Sequence, residues 1–153
     1  MLFRSESPRP ADRQVAMDAL KSVGAEALVE RSVAALSGGE QQLVILARAV
    51  AQQPQVLLMD EPMSHLDLGN QGRILSIMRQ MAASGVTVIF TTHDPNAAAT
   101  AATYVVLMRH GEVLAAAPPA QAMTAANLSQ TYGVPVAVLQ AGSRPLICLS
   151  EEG

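Results

Sequence analysis

Cysteine is almost missing from this 153-residue chain, with Cys148 the only one. One thiol excludes an internal disulfide framework and a cysteine-rich metal site, and leaves Cys148 as a small packed hydrophobe of a reducing compartment. Aromatic residues make up 3% of a chain that is 50% hydrophobic, so alanine, leucine, valine and methionine must do the packing. No apolar run approaches the ~20 residues that a membrane helix needs. The best candidate, residues 97–108, is short and interrupted by Thr100 and Thr103. The first eight residues hold no apolar segment of the kind a secretory signal carries. Basic clusters are missing too: the 10 Lys and Arg residues are scattered through a chain of net charge −3. That excludes a nucleic-acid surface, which needs a basic stripe. The mean hydropathy of +0.24 is nevertheless positive, so some apolar surface is expected to meet a partner.

What is present is organised around residues 55–62, Gln-Val-Leu-Leu-Met-Asp-Glu-Pro. The unbroken apolar run from Val56 to Met59 predicts a strand buried on both faces in a parallel sheet. Pro62 cannot donate to a ladder and ends it. Asp60 and Glu61 then emerge at the strand's carboxyl end, where open parallel sheets bind ligands. Taken alone, the pair is an ordinary acidic surface turn. In a ligand site, strand alternation sends the two carboxylates to opposite sides and gives them separate tasks. One suits Mg²⁺ as a hard oxygen ligand, the other a reacting water as general base or orienter.

The flanking periodicities predict an α/β chain. A helix over Ala11–Val23 stops at Gly24, and a short second helix covers Glu26–Arg31. A helical run, Gln42–Gln52, precedes the acidic-ended strand; a polar turn, Ser64–Asp67, and a helix over Gly69–Ser84 follow it. Ile74, Leu75, Ile77, Met78, Met81 and Ala82 form the apolar face of that helix. Val86–Phe90 is a second apolar strand, and Asp94 caps a helix that has Pro95 at its first position and runs to Ala102. A hairpin turns at Gly111 between Tyr104–Met108 and Val113–Ala116. Short helices run from Pro118-Pro119 to Tyr132-Gly133, and a second hairpin pairs Pro135–Leu139 with Pro145–Leu149 around residues 141–144.

Two further features bear on the acidic pair. Ser37 and Glu40 of Leu36-Ser-Gly-Gly-Glu40 have the spacing of a capping box, which on its own merely starts a helix. The intervening Gly38 and Gly39 also leave unshielded amides at a helix N-terminus, where the dipole and free donors suit a phosphate. His93 stands just beyond the second strand, as Asp60-Glu61 does beyond the first. Parallel neighbouring strands would bring it to the same edge as Glu61. His65 and His110 have no such support, and the three histidines show no metal-ligand spacing.

In this order, Leu36-Ser-Gly-Gly-Glu-Gln41 resembles the signature motif of ABC-type ATPases, and Val56–Glu61 their Walker B strand with its catalytic glutamate. Ser64-His-Leu-Asp67 resembles the D-loop, and Thr92-His93-Asp94 the switch histidine. The resemblance covers residues 10–135. The wording of residues 39–48, 64–69 and 127–135 is similar to that of ATPases serving iron–siderophore, haem and cobalamin importers. The resemblance implies that Asp60 holds Mg²⁺, Glu61 polarises the attacking water and His93 senses the γ-phosphate. It also implies that Ser37, Gly38, Gly39 and Glu40 meet ATP held on a second, head-to-tail ATPase subunit, with Ser64 and Asp67 communicating across that interface. An integral membrane permease is the implied partner, with the chain peripheral on the cytoplasmic face of a bacterial inner membrane. Met63 departs from the family's small hydroxyl residue after Asp-Glu-Pro, with little effect expected on the chemistry.

The larger departure is the family's P-loop, G-x-x-x-x-G-K-[ST], which cradles the phosphates. The single lysine, Lys21, is followed by Ser22 but preceded by the glycine-free Val15–Leu20, so it belongs to an amphipathic helix. The expected organisation is therefore a helical-subdomain remnant (residues 1–36), a core part with signature, Walker B, D-loop and switch histidine (37–116), and a C-terminal extension (117–153). Such a partial sheet exposes strand edges and apolar faces. Two functional expectations follow. One is the importer ATPase, inactive until a P-loop-bearing segment outside this chain is supplied. The other is a non-catalytic binding or regulatory module on a complete ATPase. A DNA-repair-type ABC ATPase would carry coiled-coil insertions and basic surfaces, and neither is present.

Overall fold

In a computed structural model, residues 9–141 and 144–150 are described. The chain divides into two compact units, the first ending at Thr91 and the second beginning at Thr92.

The first unit opens on helix α1 (Pro10–Ser22), with Pro10 at its first position and the Arg9 amide donating to Asp12 Oδ2 at 3.0 Å. Gly24, at φ +64°, ends it, and Arg73 from further along the chain donates to the Val23 and Gly24 carbonyls there. A cation at a helix C-terminus also complements the dipole. The helix expected over Glu26–Arg31 is only a 3₁₀ turn, Glu26–Leu28, with a second one at Val33–Ala35. Arg31 is drawn out of helical geometry because its guanidinium reaches Glu40 and the Ala35 carbonyl. Helix α2 (Gly38–Ala51) begins before the expected Gln42, because its capping box nucleates the first turn at the two glycines.

Strand β1 (Val56–Met59), helix α3 (Leu68–Ala83) and strand β2 (Thr87–Phe90) form a βαβ unit. The two strands pair in parallel with Val56 opposite Thr87 and Met59 opposite Phe90. The parallel pairing is as expected; burial on both faces is not. Leu57 is buried, whereas Val56, Leu58 and Ile89 are 53%, 72% and 52% exposed. Side chains alternate across a pleat, so the Val56–Leu58–Ile89 face is uncovered as a whole while α3 packs on the unit through buried Ile74, Ile77, Met78 and Met81. The sheet of the first unit has two strands among the described residues.

The second unit starts with helix α4 (Pro95–Ala101), capped by Asp94, which accepts from the Asn96 amide at 2.8 Å. Strands β3 (Val105–Arg109) and β4 (Glu112–Ala117) form the first hairpin. Its turn places both His110 (φ 51°) and Gly111 (φ 82°) in left-handed conformations, as a two-residue hairpin twist demands. Helices α5 (Pro119–Ala122) and α6 (Ala125–Tyr132) lead to the antiparallel pair β5 (Val136–Ala141) and β6 (Arg144–Leu149); residues 142–143, within the connection expected over 141–144, lie outside the described residues. Val105, Leu107, Met123, Leu128, Val136 and Ile147 form the core of this unit. Asn96 ties α4 to β6 by giving its amide to the Ile147 carbonyl at 3.0 Å and taking the Ile147 N–H at 2.9 Å. Among the described residues, no helix is long and apolar enough to cross a membrane.

Candidate functional site

The parallel register of β1 and β2 continues for one hydrogen bond beyond the ladder, from the Thr91 amide to the Met59 carbonyl at 3.0 Å. This sets Thr91 beside the acidic pair. Its hydroxyl donates to Asp60 Oδ1 at 2.5 Å and accepts the Glu61 N–H at 2.9 Å. Asp60 and Glu61 are exposed, while Pro62 and Met63 turn inward and are buried, anchoring the segment behind them. Met63, unusual at its position, thus serves the core. Strand alternation does not direct the two carboxylates, as the sequence had implied, because β1 ends at Met59 and Glu61 adopts a left-handed φ of 42°. The turn sets their directions instead. Thr91 was missed by sequence reasoning; the available signal was a hydroxyl residue immediately after the second strand of a parallel pair.

The signature segment forms the expected capping box. Ser37 Oγ accepts the Glu40 N–H at 3.3 Å and the Glu40 carboxylate accepts the Ser37 N–H at 2.8 Å. The Gly38 and Gly39 amides take no part in the box. Arg31 pairs with the other Glu40 oxygen at 2.6 Å. The two glycines differ sharply. A Cβ at Gly38 would meet nothing within 4 Å, whereas one at Gly39 would lie 2.6 Å from Asn70 Nδ2. Asn70 in turn donates its side-chain amide to Asp67 Oδ2 and its backbone amide to Asp67 Oδ1, each at 2.8 Å, making Asp67 the N-cap of α3. Gly39 and Asp67, predicted as separate motifs, are joined through Asn70. Half-buried Ser64 sits in the intervening turn, its amide bonded to the Glu61 carbonyl at 3.0 Å.

Hydrogen bonding tunes the two capping carboxylates. The Ser37 backbone N–H, and then the Ser37 hydroxyl, hold the Glu40 carboxyl below its usual 4.5. The Asn70 backbone N–H does the same to Asp67, below its usual 3.8. A carboxyl depressed on folding stabilises the fold above its unfolded value and loses that contribution as pH falls through the folded one. Glu40→Gln is therefore expected to lower the urea midpoint at neutral pH, with the gap to wild type closing as pH drops below 4.5. A gap that stays constant into acid would assign the effect to something other than the Glu40 charge.

His93 belongs to the second unit. Its carbonyl accepts from the Tyr132 hydroxyl at 3.2 Å, and Asp94 beside it turns into α4 through a Thr92 Oγ1 contact with the Asp94 amide at 3.1 Å. Burial, helped by the Asp94 charge, raises the Tyr132 phenol above its usual value. No group of three or more His, Cys, Asp or Glu able to hold a metal occurs among the described residues. The acidic pair instead suits a cation such as Mg²⁺, which protein carboxylates bind singly or in pairs with phosphate and water completing the shell.

Residues 3–64, which include the signature segment, the acidic strand and the start of the following turn, match the family described as ABC transporter. Over these residues the chain is similar to that family. Among ABC transporter relatives, the hemin import ATP-binding protein HmuV of Thermobifida fusca (strain YX) is 40% identical over 128 residues, or 84% of this chain and 45% of that protein. HmuV of Jannaschia sp. (strain CCS1) is 44% identical over 131 residues, 80% of this chain and 48% of the relative. This chain spans about half the length of the curated relatives it matches. A solved metal-chelate type ABC transporter in an inward-facing conformation shares 31% identity with a TM-score of 0.89, over 97% of this chain and 62% of that one. A nucleotide-free ATP-binding cassette at 20% identity, with a TM-score of 0.72 over 87% of this chain and 51% of that one, shares the fold. The α/β architecture is thus that of ABC ATPase domains.

Proposed function

We propose that this chain is the signature- and Walker B-bearing part of the ATP-hydrolysing subunit of an ABC importer that takes up a metal chelate of the iron–siderophore, haem or cobalamin class. The carrying observation is the exposed Asp60–Glu61 pair, fixed by Thr91 at the carboxyl end of a parallel β1–β2 pair. The hemin-import names of its relatives support the substrate class. Asp60 would hold Mg²⁺, which when bound offsets phosphate charge. Glu61 orients and deprotonates the attacking water. Ser37, Gly38 and Gly39 present the amide end of α2 to ATP on a second ATPase subunit arranged head to tail, with Glu40 keeping that turn wound. Ser64 and Asp67 lie at the same subunit interface, and His93 reports the γ-phosphate. An integral membrane permease on the cytoplasmic side is the transport partner.

Lys21, the only lysine, is exposed on α1 and has no glycine-rich cradle. Alone, the chain is expected to show no specific Mg–ATP binding by calorimetry and no turnover. Adding a P-loop-bearing segment of a related ATPase is expected to restore hydrolysis that depends on Glu61. Micromolar ATP affinity of the chain alone would overturn the assignment of phosphate binding to a separate segment. A complex that forms without turnover would favour a regulatory module instead.

A further inference from the structure

We infer that Thr91 is a positioning residue for the acidic pair, one hydroxyl fixing both the Asp60 carboxylate and the Glu61 backbone for work on bound nucleotide. The inference rests on the ATPase reading above and adds a part that the reading does not contain. Thr91 owes its place to the backbone: it follows β2 directly and the parallel register sets it beside Asp60. A hydroxyl carries one proton, a carboxylate can only accept and an amide can only donate, so both bonds have a forced direction. Thr91 Oγ1 gives its proton to Asp60 Oδ1 at 2.5 Å and receives that of the Glu61 amide at 2.9 Å.

The two bonds do different work. The first restricts the Asp60 side chain, which is exposed and so gains little order from packing. The second secures the amide of a residue at φ 42°, a conformation that non-glycine residues avoid unless their surroundings hold them there. Without the hydroxyl, the turn that aims Glu61 and the carboxylate beside it lose their common anchor together. Valine keeps the shape of threonine and removes the hydroxyl; serine keeps the hydroxyl and removes the methyl.

The test reads Thr91→Val and Thr91→Ser against wild type, both as the full chain and assembled with a P-loop-bearing segment. In the chain, Thr91→Val is expected to speed hydrogen exchange of the Glu61 amide roughly fivefold or more, and Thr91→Ser to leave it protected. In the assembly, Thr91→Val is expected to lower kcat roughly 10–100-fold with little change in KM for ATP, and Thr91→Ser to keep most of the activity. Mn²⁺ retention in the ATP-loaded assembly, read by electron paramagnetic resonance, is expected to weaken in Thr91→Val alone. Unchanged Glu61 exchange in Thr91→Val, or an equal loss in both variants, would overturn the inference. A wild-type assembly without turnover removes the ATPase reading and the catalytic use of the bridge with it. An active wild type matched by Thr91→Val removes the inference alone.

Discussion

Glu61→Gln is expected to lower ATP turnover of the assembled ATPase by about 10²–10⁴-fold, the range that a positioned general base contributes. The substitution keeps the side chain's length and hydrogen-bonding capacity but removes its ability to take a proton. Glu61 is exposed, and its backbone conformation is set by the Thr91 contact and by Pro62 and Met63 packed behind it. Stability is therefore expected to stay within about 0.5 kcal/mol of wild type, as for other surface changes. Single-turnover kinetics alongside a denaturant titration separate the two effects. Retention of more than a tenth of the wild-type rate, with the fold intact, would remove Glu61 from the chemistry.

The second large effect divides two glycines that look equivalent in sequence. Gly39→Ala places a methyl 2.6 Å from Asn70 Nδ2 and 2.7 Å from its Cγ, so the carboxamide must swing away and give up its bond to Asp67. Overpacking of this kind costs about 1–3 kcal/mol, and the urea midpoint of the chain alone is expected to fall accordingly. Adding Asn70→Ala should recover part of the loss, because it removes the atoms that clash; the double-mutant cycle measures that coupling. Gly38→Ala meets nothing within 4 Å. Alanine exceeds glycine in helix propensity by up to ~1 kcal/mol, so the chain should be as stable as wild type or more so. In the proposed head-to-tail dimer the same methyl would stand where the partner's phosphate meets the α2 amides, and turnover is then expected to drop at least about tenfold. Equal stability of the two alanine variants would refute the packing distinction.

Glycine identity at residue 38 thus has no internal packing cause, which agrees with a position kept open for an outside group. Gly39 has one: it admits the side chain that links the signature turn to the N-cap of α3. Both roles were compressed into one motif in the sequence, since a string of residue types does not say what faces each Cα. His65 and His110 make the same point. Both take positive φ, at 62° and 51°, where a hairpin or tight turn requires it, a backbone task that the residue types alone do not show.

The sequence by itself determined most of the local elements. Apolar runs ended by Pro62 and followed by Asp94-Pro95 marked the strand and helix boundaries. The Ser37–Glu40 spacing dictated its own capping box, and a strand–helix–strand order required a parallel pair with acids at its carboxyl end. These are short-range effects, set by propensity, capping and turn sterics within a few residues. The tertiary structure decided what joins residues far apart in the chain. Thr91 meets Asp60 and Glu61 only because two strands pair in one register, and Asn70 meets Gly39 only because α3 packs against the start of α2. It also decided that the Val56–Leu58–Ile89 face is bare. Burial depends on which surfaces a chain has available to cover a strand, and no pattern of apolar residues within the strand can supply that.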